Sequence, residues 1–207
     1  MSADIVVLDY GAGNVHSALR AVERAGATAE LSADPDRAAA ADGLLVPGVG
    51  AFSAVMDALD NAGAVDVIRE RHRQQRPLLG ICVGMQVLYT SGTEHGRTSD
   101  CIGLWDGAVC RIDAAVLPHM GWNTVTAAAG SAMFAGIAAE RFYFVHSYAA
   151  TAAPPEAAVT TCSLDSPFIA AVEDGTTWAT QFHPEKSGRA GTALLANWIR
   201  TLSAAQK

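Results

Sequence analysis

The chain has 207 residues, half of them hydrophobic, and its 14 lysine and arginine residues against 21 acidic residues give a formal net charge of −7. This length suits one domain, and so many apolar residues can bury a substantial core. The basic residues are scattered along the chain rather than gathered in a stripe, which argues against a nucleic-acid-binding surface.

The sequence indicates a cytoplasmic protein. Asp4 lies where a secretory signal would carry basic residues, and Asp9 interrupts the apolar run that follows, so no signal peptide is predicted. The uncharged segment 77–93 is predicted as a buried strand and helix rather than a membrane span. The four cysteines are Cys82, Cys101, Cys110 and Cys162. They form no C-x-x-C pair and have no zinc-ligand spacing with histidines, so neither a metal site nor a disulfide framework is expected.

Three apolar runs each lead into a turn that contains glycine, at residues 5–10, 44–47 and 77–82. After the first run, Asn14 is predicted to cap a helix that ends at Gly26, and a second helix is predicted over residues 53–62. Strands rich in Val, Ile and Leu that alternate with amphipathic helices predict crossover units around a mainly parallel sheet. In such a sheet the active residues lie in the loops at the carboxyl ends of the strands.

The middle of the chain, residues 104–172, contains short alternating runs that predict antiparallel strands, and residues 191–202 predict a final helix with Leu194, Leu195, Trp198 and Ile199 facing inward. The predicted fold class is therefore α/β. A single domain spans residues 1–207, with a mainly parallel central sheet flanked by helices and a small antiparallel region in the middle of the chain.

The turn after the third apolar run is the main candidate for chemistry. It reads G-I-C-V-G-M-Q at residues 80–86, which places Cys82 after a predicted strand and before a helical pattern formed by Met85, Leu88 and Tyr89. This is a nucleophile elbow with sulfur in place of oxygen. The two glycines relieve crowding in the turn, and the start of the helix favours the thiolate. Taken alone, a buried structural cysteine explains the elbow equally well.

A second motif favours the catalytic interpretation. His183 and Glu185 follow a predicted strand and lie two residues apart, so on a nearly extended backbone both side chains point the same way. A carboxylate bonded to one imidazole nitrogen fixes the tautomer and leaves the other nitrogen to exchange a proton with Cys82. The sequence thus predicts Cys82 as nucleophile, His183 as base and Glu185 as orienting acid.

These two motifs, in this order and at this separation, resemble those of the triad-type, class-I glutamine amidotransferases. The resemblance implies that the Cys82 thiolate attacks the side-chain amide of L-glutamine and that His183 protonates the departing ammonia. Water then hydrolyses the glutamyl thioester to glutamate. The resemblance implies no cofactor and no metal.

The resemblance also assigns residues around the nucleophile. The segment P-G-V-G at residues 47–50 resembles the oxyanion loop of the family, and the backbone N–H of Val83 is expected to assist it. A plain strand-to-helix turn is the alternative explanation of this loop. The residues assigned to the oxyanion site are Val83, Gly48, Val49 and Gly50, and those assigned to glutamine are Gln86, Glu94, His146, Ser147 and Tyr148. Glu94 is expected to bind the α-ammonium group.

Four further motifs distinguish members of this class: D-Y-G-A-G-N at residues 9–14, P-G-V-G-A-F at 47–52, P-H-M-G-W-N at 118–123 and P-E-K-S at 184–187. Together they resemble the glutaminase subunits of imidazole glycerol phosphate synthases, along essentially the whole chain. The resemblance implies a heterodimer of histidine biosynthesis, in which ammonia passes to a separate cyclase subunit with a (β/α)8 barrel. Val83, where many members have leucine, and Gly188, where a polar residue is common, remove no catalytic group.

Contacts with the cyclase are assigned to Asn14, Met120, Trp122 and Lys186. Each of these residues also has a plainer explanation, respectively a helix cap, a gap filler, a core aromatic and a solvated charge. The G-A-G turn at residues 11–13 suggests a dinucleotide-binding loop, but His16 stands where that pattern needs a glycine, so we reject this interpretation.

Two other functions are to be weighed against this one. A glutaminase for another synthase, such as those that make anthranilate or guanylate, is expected to differ at residues 118–123. A scaffold with an inactive site is at odds with the intact Cys82, His183 and Glu185. The sequence assigns no role beyond packing to Cys101, Cys110 and Cys162.

Overall fold

A computed structural model describes residues 2–11 and 13–204. Ala12, within the motif at residues 9–14, lies outside the described residues, as do Met1 and residues 205–207. The strands are β1 (Asp4–Leu8), β2 (Thr28–Ser32), β3 (Gly43–Gly48), β4 (Leu78–Cys82), β5 (Tyr89–Glu94), β6 (Arg97–Asp100), β7 (Trp105–Arg111), β8 (His119–Thr124), β9 (Arg141–His146), β10 (Tyr148–Ala150), β11 (Ala158–Ser163), β12 (Pro167–Asp174) and β13 (Thr177–Thr180). The helices are α1 (Val15–Arg24), α2 (Pro35–Ala40), α3 (Phe52–Asn61), α4 (Ala64–Arg73), α5 (Val83–Gln86) and α6 (Gly188–Ala204).

The central sheet has seven strands in the order β11-β12-β13-β4-β3-β1-β2. The five strands from β13 to β2 are parallel, and β12 and β11 complete one edge in antiparallel pairing. Helix α1 packs against α6, whereas α4 packs against α2 and α3. This architecture confirms the predicted α/β fold with a mainly parallel sheet and flanking helices.

The two central strands β3 and β4 are buried along their whole length. Covered on both faces, they need apolar residues at every position, which is why the sequence shows continuous apolar runs there rather than alternation. Their carboxyl ends, at Gly48 and Cys82, lie side by side in register. The predicted position of the active residues, at the carboxyl edge of the sheet, follows from this pairing.

The middle of the chain forms two smaller sheets, one of strands β10-β7-β5-β6 and one of β8 and β9. Most of these pairs are antiparallel, as predicted, but β5 and β7 run parallel, so the antiparallel region is mixed. The region also begins earlier than predicted, at Tyr89, and β11 and β12 join the central sheet instead.

The helix predicted after Cys82 is only one turn long, because α5 ends at Gln86 and Tyr89 already begins β5. The spacing of Met85, Leu88 and Tyr89 predicts one face of a longer helix, and this prediction is wrong. All residues from 81 to 89 are buried, so apolar residues are required throughout and their spacing does not report a helical period. Tyr89 instead packs edge-on against Trp105, with ring centroids 5.4 Å apart.

The final helix, α6, buries Leu194, Leu195 and Trp198 as predicted, while Ile199 is partly buried against the core. Over residues 2–11 and 13–204, no helix combines the length and the apolar character needed to cross a membrane.

Candidate active site

Cys82 ends β4 in a strained turn. Its backbone has φ 56° and ψ −110°, which is unusual for a residue with a side chain, and only 4 % of the residue is exposed. Such strain is typical of a nucleophile elbow, in which a sharp strand-to-helix turn holds the reactive atom towards a cavity.

Close packing of the main chain makes the glycines of this turn necessary. A Cβ atom added to Gly84 would lie 2.0 Å from the carbonyl oxygen of Val46, and one added to Gly80 would lie 2.7 Å from the carbonyl oxygen of Gly84. Both distances are well inside van der Waals contact. The elbow therefore exists in this form only because both positions lack a side chain.

The predicted oxyanion residues divide into two groups. Gly48 does not line the cavity. A Cβ atom there would lie 2.5 Å from the nitrogen of Gly84, so the absence of a side chain lets β3 approach the elbow. Val49 and Gly50 follow it and line the cavity, with Gly50 at φ +91°. Val83 also lines the cavity and, as the first residue of α5, has no intrahelical partner for its N–H.

His183 and Glu185 are in direct contact. The Nδ1 atom of His183 lies 2.7 Å from Oε1 of Glu185, and both side chains are almost fully buried. The backbone between them is not extended as predicted, because Pro184–Lys186 form a single 3-10 turn. Proline suits the first position of such a turn, since it lacks the N–H that would be unpaired there. The predicted contact is thus confirmed, but a turn rather than strand alternation produces it.

The electrostatic environment favours a charged His183. Burial alone lowers the pKa of an imidazole, but here hydrogen bonding and charge interaction with Cys82 and Glu185 outweigh it and raise the pKa of His183 to about 9. The Nε2 atom of His183 is buried and has no hydrogen-bond partner of ordinary geometry within the described part of the chain. Nε2 is therefore available to exchange a proton with the sulfur or with a bound molecule.

A cavity of about 530 Å³ opens in front of Cys82 and His183. Most of the residues predicted to bind glutamine or to stabilise the oxyanion line it. These are Val49, Gly50, Val83, Gln86, Glu94, His146, Ser147 and Tyr148, together with Asn14 and Lys186 from the predicted interface set. The structure thus brings together residues that lie far apart in the sequence, while Glu185 lies behind His183.

Glu94 presents an unpaired carboxylate oxygen to this region. Its Oε2 atom is buried and has no hydrogen-bond partner among the described residues, and Glu94 also lines the cavity that contains Cys82. A buried carboxylate oxygen without a partner is costly unless a donor occupies the site. The position therefore suits a positively charged donor group on a bound molecule.

Gln86 is committed to internal contacts. Its Nε2 atom donates to the backbone oxygen of Tyr148 at 2.8 Å and to Oε1 of Gln181 at 3.0 Å. Both amide hydrogens are used by these bonds, so Gln86 can contact a bound molecule only through Oε1. This narrows the role expected from the sequence, where Gln86 is assigned to glutamine without distinguishing donor from acceptor.

His146 is held in a buried histidine pair. Its Nδ1 atom lies 3.0 Å from the Tyr148 carbonyl oxygen, which can only accept, so Nδ1 carries the hydrogen. Nε2 of His146 then accepts from Nδ1 of His119 at 3.2 Å, which leaves Nε2 of His119 to accept from Asn123 at 3.4 Å. Burial, together with the charges of His119 and His183, lowers the pKa of His146 to about 4, so the pair is neutral at pH 7.

Two residues beside Cys82 are not assigned by the sequence motifs. Tyr10 donates its hydroxyl hydrogen to the carbonyl oxygen of Pro47. Burial, and to a smaller extent the charge of Cys82, raises the pKa of the Tyr10 hydroxyl. Gln181 is fully buried, and its Nε2 atom lies 3.7 Å from the sulfur of Cys82. Gln181 stands two residues before His183, so the alternation of an extended strand was a usable signal for it.

The predicted interface residues lie at the surface. On β8, Met120 is 64 % exposed and Trp122 is 49 % exposed, so neither the gap-filler nor the core-aromatic explanation holds. Asn14 precedes α1 but its side chain makes no capping hydrogen bond. Lys186 is exposed and lines the cavity edge. Trp122 pairs in register with Tyr143, whose carbonyl oxygen accepts the backbone N–H of His183 at 2.9 Å.

A thiol on a strained elbow, an imidazole and a carboxylate at the carboxyl edge of a parallel sheet form the arrangement of a cysteine-dependent amidase. Residues 6–202 match the family "Glutamine amidotransferase class-I". Among solved structures, a putative GMP synthase protein from Thermoplasma acidophilum shares the fold, with a TM-score of 0.75 and 19 % identity, over 100 % of this chain and 96 % of the other.

Curated relatives are much closer in sequence. "Imidazole glycerol phosphate synthase subunit HisH" of Mycobacterium bovis is 55 % identical over 198 residues, which cover 94 % of this chain and 96 % of the relative. The subunit of the same name from Leifsonia xyli is 54 % identical over 209 residues, which cover 98 % of this chain and 100 % of the relative. The chain therefore belongs to the class-I glutamine amidotransferases, and within them to the family of imidazole glycerol phosphate synthase subunits HisH.

Proposed function

We propose that this chain, as one domain, is the glutaminase subunit of an imidazole glycerol phosphate synthase. It hydrolyses L-glutamine to glutamate and ammonia and delivers the ammonia to a cyclase subunit. One observation carries the proposal: a single site combines a thiol on a strained elbow, a buried imidazole paired with a carboxylate, and an unpaired carboxylate oxygen on Glu94. The thiol, the imidazole and its paired carboxylate suit amide hydrolysis, and the Glu94 oxygen suits the ammonium group of an amino acid.

Acylation follows from the geometry of the triad. The Cys82 thiolate attacks the side-chain carbonyl carbon of glutamine, and a carbon–sulfur bond forms as the oxygen becomes an oxyanion. The Nδ1–H of His183 is directed at Glu185, so Nε2 is the atom that gives its proton to the departing nitrogen. The carbon–nitrogen bond then breaks, and ammonia leaves behind a glutamyl thioester.

Deacylation uses the same groups in the opposite sense. Neutral His183 takes a proton from a water molecule at Nε2, and the hydroxide attacks the thioester carbon. The second tetrahedral intermediate collapses, glutamate leaves and the thiolate returns. Glu185 stabilises the imidazolium in both halves of the cycle, because its Oε1 atom accepts from Nδ1 at 2.7 Å.

An oxyanion forms twice in this cycle and needs donors beside Cys82. Val83 offers a backbone N–H without a helical partner, and the segment of Val49 and Gly50 lies on the same cavity wall. At Gly50 the backbone has φ +91°, a region that residues with side chains rarely adopt. These backbone groups are our candidates for the oxyanion site.

Glutamine binding is assigned to the other wall of the cavity. Glu94 binds the α-ammonium group, the Oε1 atom of Gln86 accepts from the substrate, and the segment 146–148 forms the surrounding surface. The buried His146 acts here through the position of Tyr148, since both of its nitrogens are already bonded.

The product requires a partner. Ammonia released into water at neutral pH becomes ammonium and loses its nucleophilicity, so a direct transfer to an acceptor enzyme is needed. We assign this acceptor to a cyclase subunit with a (β/α)8 barrel, which makes imidazole glycerol phosphate and aminoimidazole carboxamide ribonucleotide in histidine biosynthesis. The exposed Met120 and Trp122, together with Asn14 and Lys186 at the cavity edge, are the candidate contacts in this heterodimer. The four cysteines are all unpaired, which fits a reducing compartment such as the cytoplasm.

Reconstitution with the cyclase tests the proposal. The isolated chain should hydrolyse glutamine only slowly, and the rate should rise when the cyclase and its phosphoribosyl-formimino nucleotide are added. A diazoketone analogue of glutamine should then label Cys82 and abolish activity. Cys110→Ser, at an exposed thiol, is the matched control and should keep both labelling and activity, whereas Cys82→Ser should lose both.

Two results would contradict the proposal. An unlabelled Cys82 in a fully active complex would remove its nucleophile. Strong glutaminase activity from the isolated chain at saturating glutamine would remove the coupling to the cyclase.

A further inference from the structure

The reaction described above leaves one buried amide beside the nucleophile without a role. Gln181 follows β13 directly, is fully buried, and has its Nε2 atom 3.7 Å from the sulfur of Cys82. Its backbone N–H donates to the carbonyl oxygen of Ala170 at 2.8 Å, which anchors the residue to β12. The side chain therefore extends from a fixed point of the central sheet.

The orientation of this amide follows from its partners. The Tyr148 carbonyl oxygen can only accept, so the atom of Gln86 that lies 2.8 Å away must be its nitrogen. The same nitrogen lies 3.0 Å from the Gln181 amide, and a donor requires an oxygen there. The nitrogen of Gln181 is consequently the atom that faces the Cys82 sulfur.

A second hydrogen-bond donor can stabilise the Cys82 thiolate at the stages when His183 is neutral. His183 gives its Nε2 proton to the departing ammonia, so it cannot also stabilise the sulfur as a cation throughout the cycle. An amide keeps its N–H hydrogen throughout the cycle. In a buried site, a hydrogen bond to a charged acceptor is also stronger than one between neutral groups. Such a donor supports the thiolate both before attack and when it departs from the thioester.

We propose that Gln181 is a positioning residue that donates its amide N–H to the Cys82 thiolate, stabilising the charged sulfur and holding it towards the cavity. The inference rests on the proposed function, because it concerns the same nucleophile. The Tyr148 carbonyl oxygen fixes the orientation of the Gln86 amide, and Gln86 in turn fixes the orientation of the Gln181 amide that faces Cys82.

Titratable groups from several elements interact with Cys82 or line the cavity in front of it. They are Tyr10 after β1, Glu94 at the end of β5, His146 at the end of β9, and His183 and Lys186 after β13. The neutral amide of Gln181 has no titration of its own. Its removal should therefore displace the pH dependence of Cys82 reactivity without adding a new inflection.

The test is the rate of Cys82 alkylation by iodoacetamide as a function of pH, measured on the full chain by mass spectrometry. Gln181→Met keeps the length of the side chain and removes the donor, so the midpoint of the alkylation profile should move up by about one pH unit. Gln181→Glu keeps an acceptor for Gln86 but places a carboxylate at the sulfur, and it should move the midpoint at least as far.

Asn197→Leu is the matched control for lost stability. Asn197 is a buried amide that donates to the carbonyl oxygens of Met133 and Ala135, away from the cavity. This variant should be less stable yet keep the parental alkylation profile. If either Gln181 variant remains folded by circular dichroism and its profile coincides with that of the parent, the proposal is overturned.

The assay uses neither glutamine nor cyclase, so its outcome separates the two proposals. An unchanged profile in the Gln181 variants of an active glutaminase removes only the role of Gln181. A parent chain in which Cys82 resists alkylation across the whole pH range overturns the role of Gln181, whereas the proposed function is tested separately by labelling of Cys82 in the active cyclase complex.

Discussion

Gly48 and Cys82 are register partners at the carboxyl ends of the neighbouring parallel strands β3 and β4. Because both strands end at the same level, the loop that begins at Gly48 starts beside the nucleophile. The distance between the strands at this point is set by glycine, since a Cβ on Gly48 would lie 2.5 Å from the nitrogen of Gly84. The candidate oxyanion loop and the elbow are therefore one packed unit rather than two independent loops.

Gly84→Ala should disrupt this unit. The added Cβ would lie 2.0 Å from the Val46 carbonyl oxygen, so the elbow must shift, and we expect a loss of roughly 3 kcal/mol or more in the free energy of unfolding. Urea denaturation measures the change. Gly130→Ala is the control, because that site is open and only its φ of +73° is unfavourable, at a cost of about 1 kcal/mol. Equal losses in the two variants would contradict the packing argument.

Glu185→Gln should separate structure from catalysis. The amide retains the shape of the side chain but no longer stabilises the imidazolium, so we expect kcat of the glutaminase reaction in the cyclase complex to fall about 100-fold or more. The pKa of His183, raised to about 9 in the parent, should move down. NMR titration of the imidazole measures it. A variant with the parental pKa and parental kcat would show that Glu185 is dispensable.

The same histidine predicts a pH dependence of stability. Its pKa in the folded chain is above that of the unfolded chain, about 6.5. The stabilisation from His183 is therefore complete below about pH 6.5 and is lost as the pH rises through about 9. Unfolding free energies measured across this window should fall more steeply in the parent than in Glu185→Gln, and parallel curves would contradict the prediction.

His146 predicts the opposite slope in acid. Burial lowers its pKa to about 4, so between about pH 6.5 and pH 4 the unfolded chain binds a proton that the folded chain excludes. The contribution of His146 to stability is present above about pH 6.5 and is lost as the pH falls towards 4. His146→Asn removes this titration, and its stability should decline less over that range. If the variant and the parent lose stability equally, another group causes the acid sensitivity.

Lys186→Ala should affect communication between the subunits. Lys186 is exposed at the cavity edge, one residue beyond Glu185. We expect synthesis from glutamine to fall at least tenfold while synthesis from added ammonium salt persists, because the cyclase itself is unaltered. Arg73→Ala, which removes an exposed cation on α4, should leave both rates unchanged. Equal loss with both nitrogen donors would place the defect elsewhere.

Motifs with strong local constraints made the elbow and the histidine–glutamate contact predictable from the sequence. Cys82 lies between glycines after a continuous apolar run, and a histidine and a glutamate two residues apart can meet in several local conformations. The local conformation was predicted wrongly as extended backbone. Pro184 favours the first position of a 3-10 turn, and this local preference overrode the strand alternation that the sequence suggested.

Features that depend on tertiary contacts were not accessible from local patterns. The length of α5 was overestimated because complete burial of residues 81–89 erases the periodicity that distinguishes helix from strand. The contact of Gln181 with Gln86 joins residues 95 positions apart, and no local spacing predicts it. The exposure of Met120 and Trp122 likewise depends on the position of β8 at the surface, which the local sequence does not specify.

The Tyr148 carbonyl oxygen accepts hydrogen bonds from both Gln86 and His146, so it joins the nucleophile side of the site to the buried histidine pair. This junction belongs to the main chain. An alanine substitution at position 148 removes the aromatic ring but leaves the backbone carbonyl oxygen in place. Side-chain substitutions therefore do not test this acceptor. Only backbone chemistry, such as a thioamide introduced at this peptide by semisynthesis, can weaken the acceptor and reveal how far the two networks depend on each other.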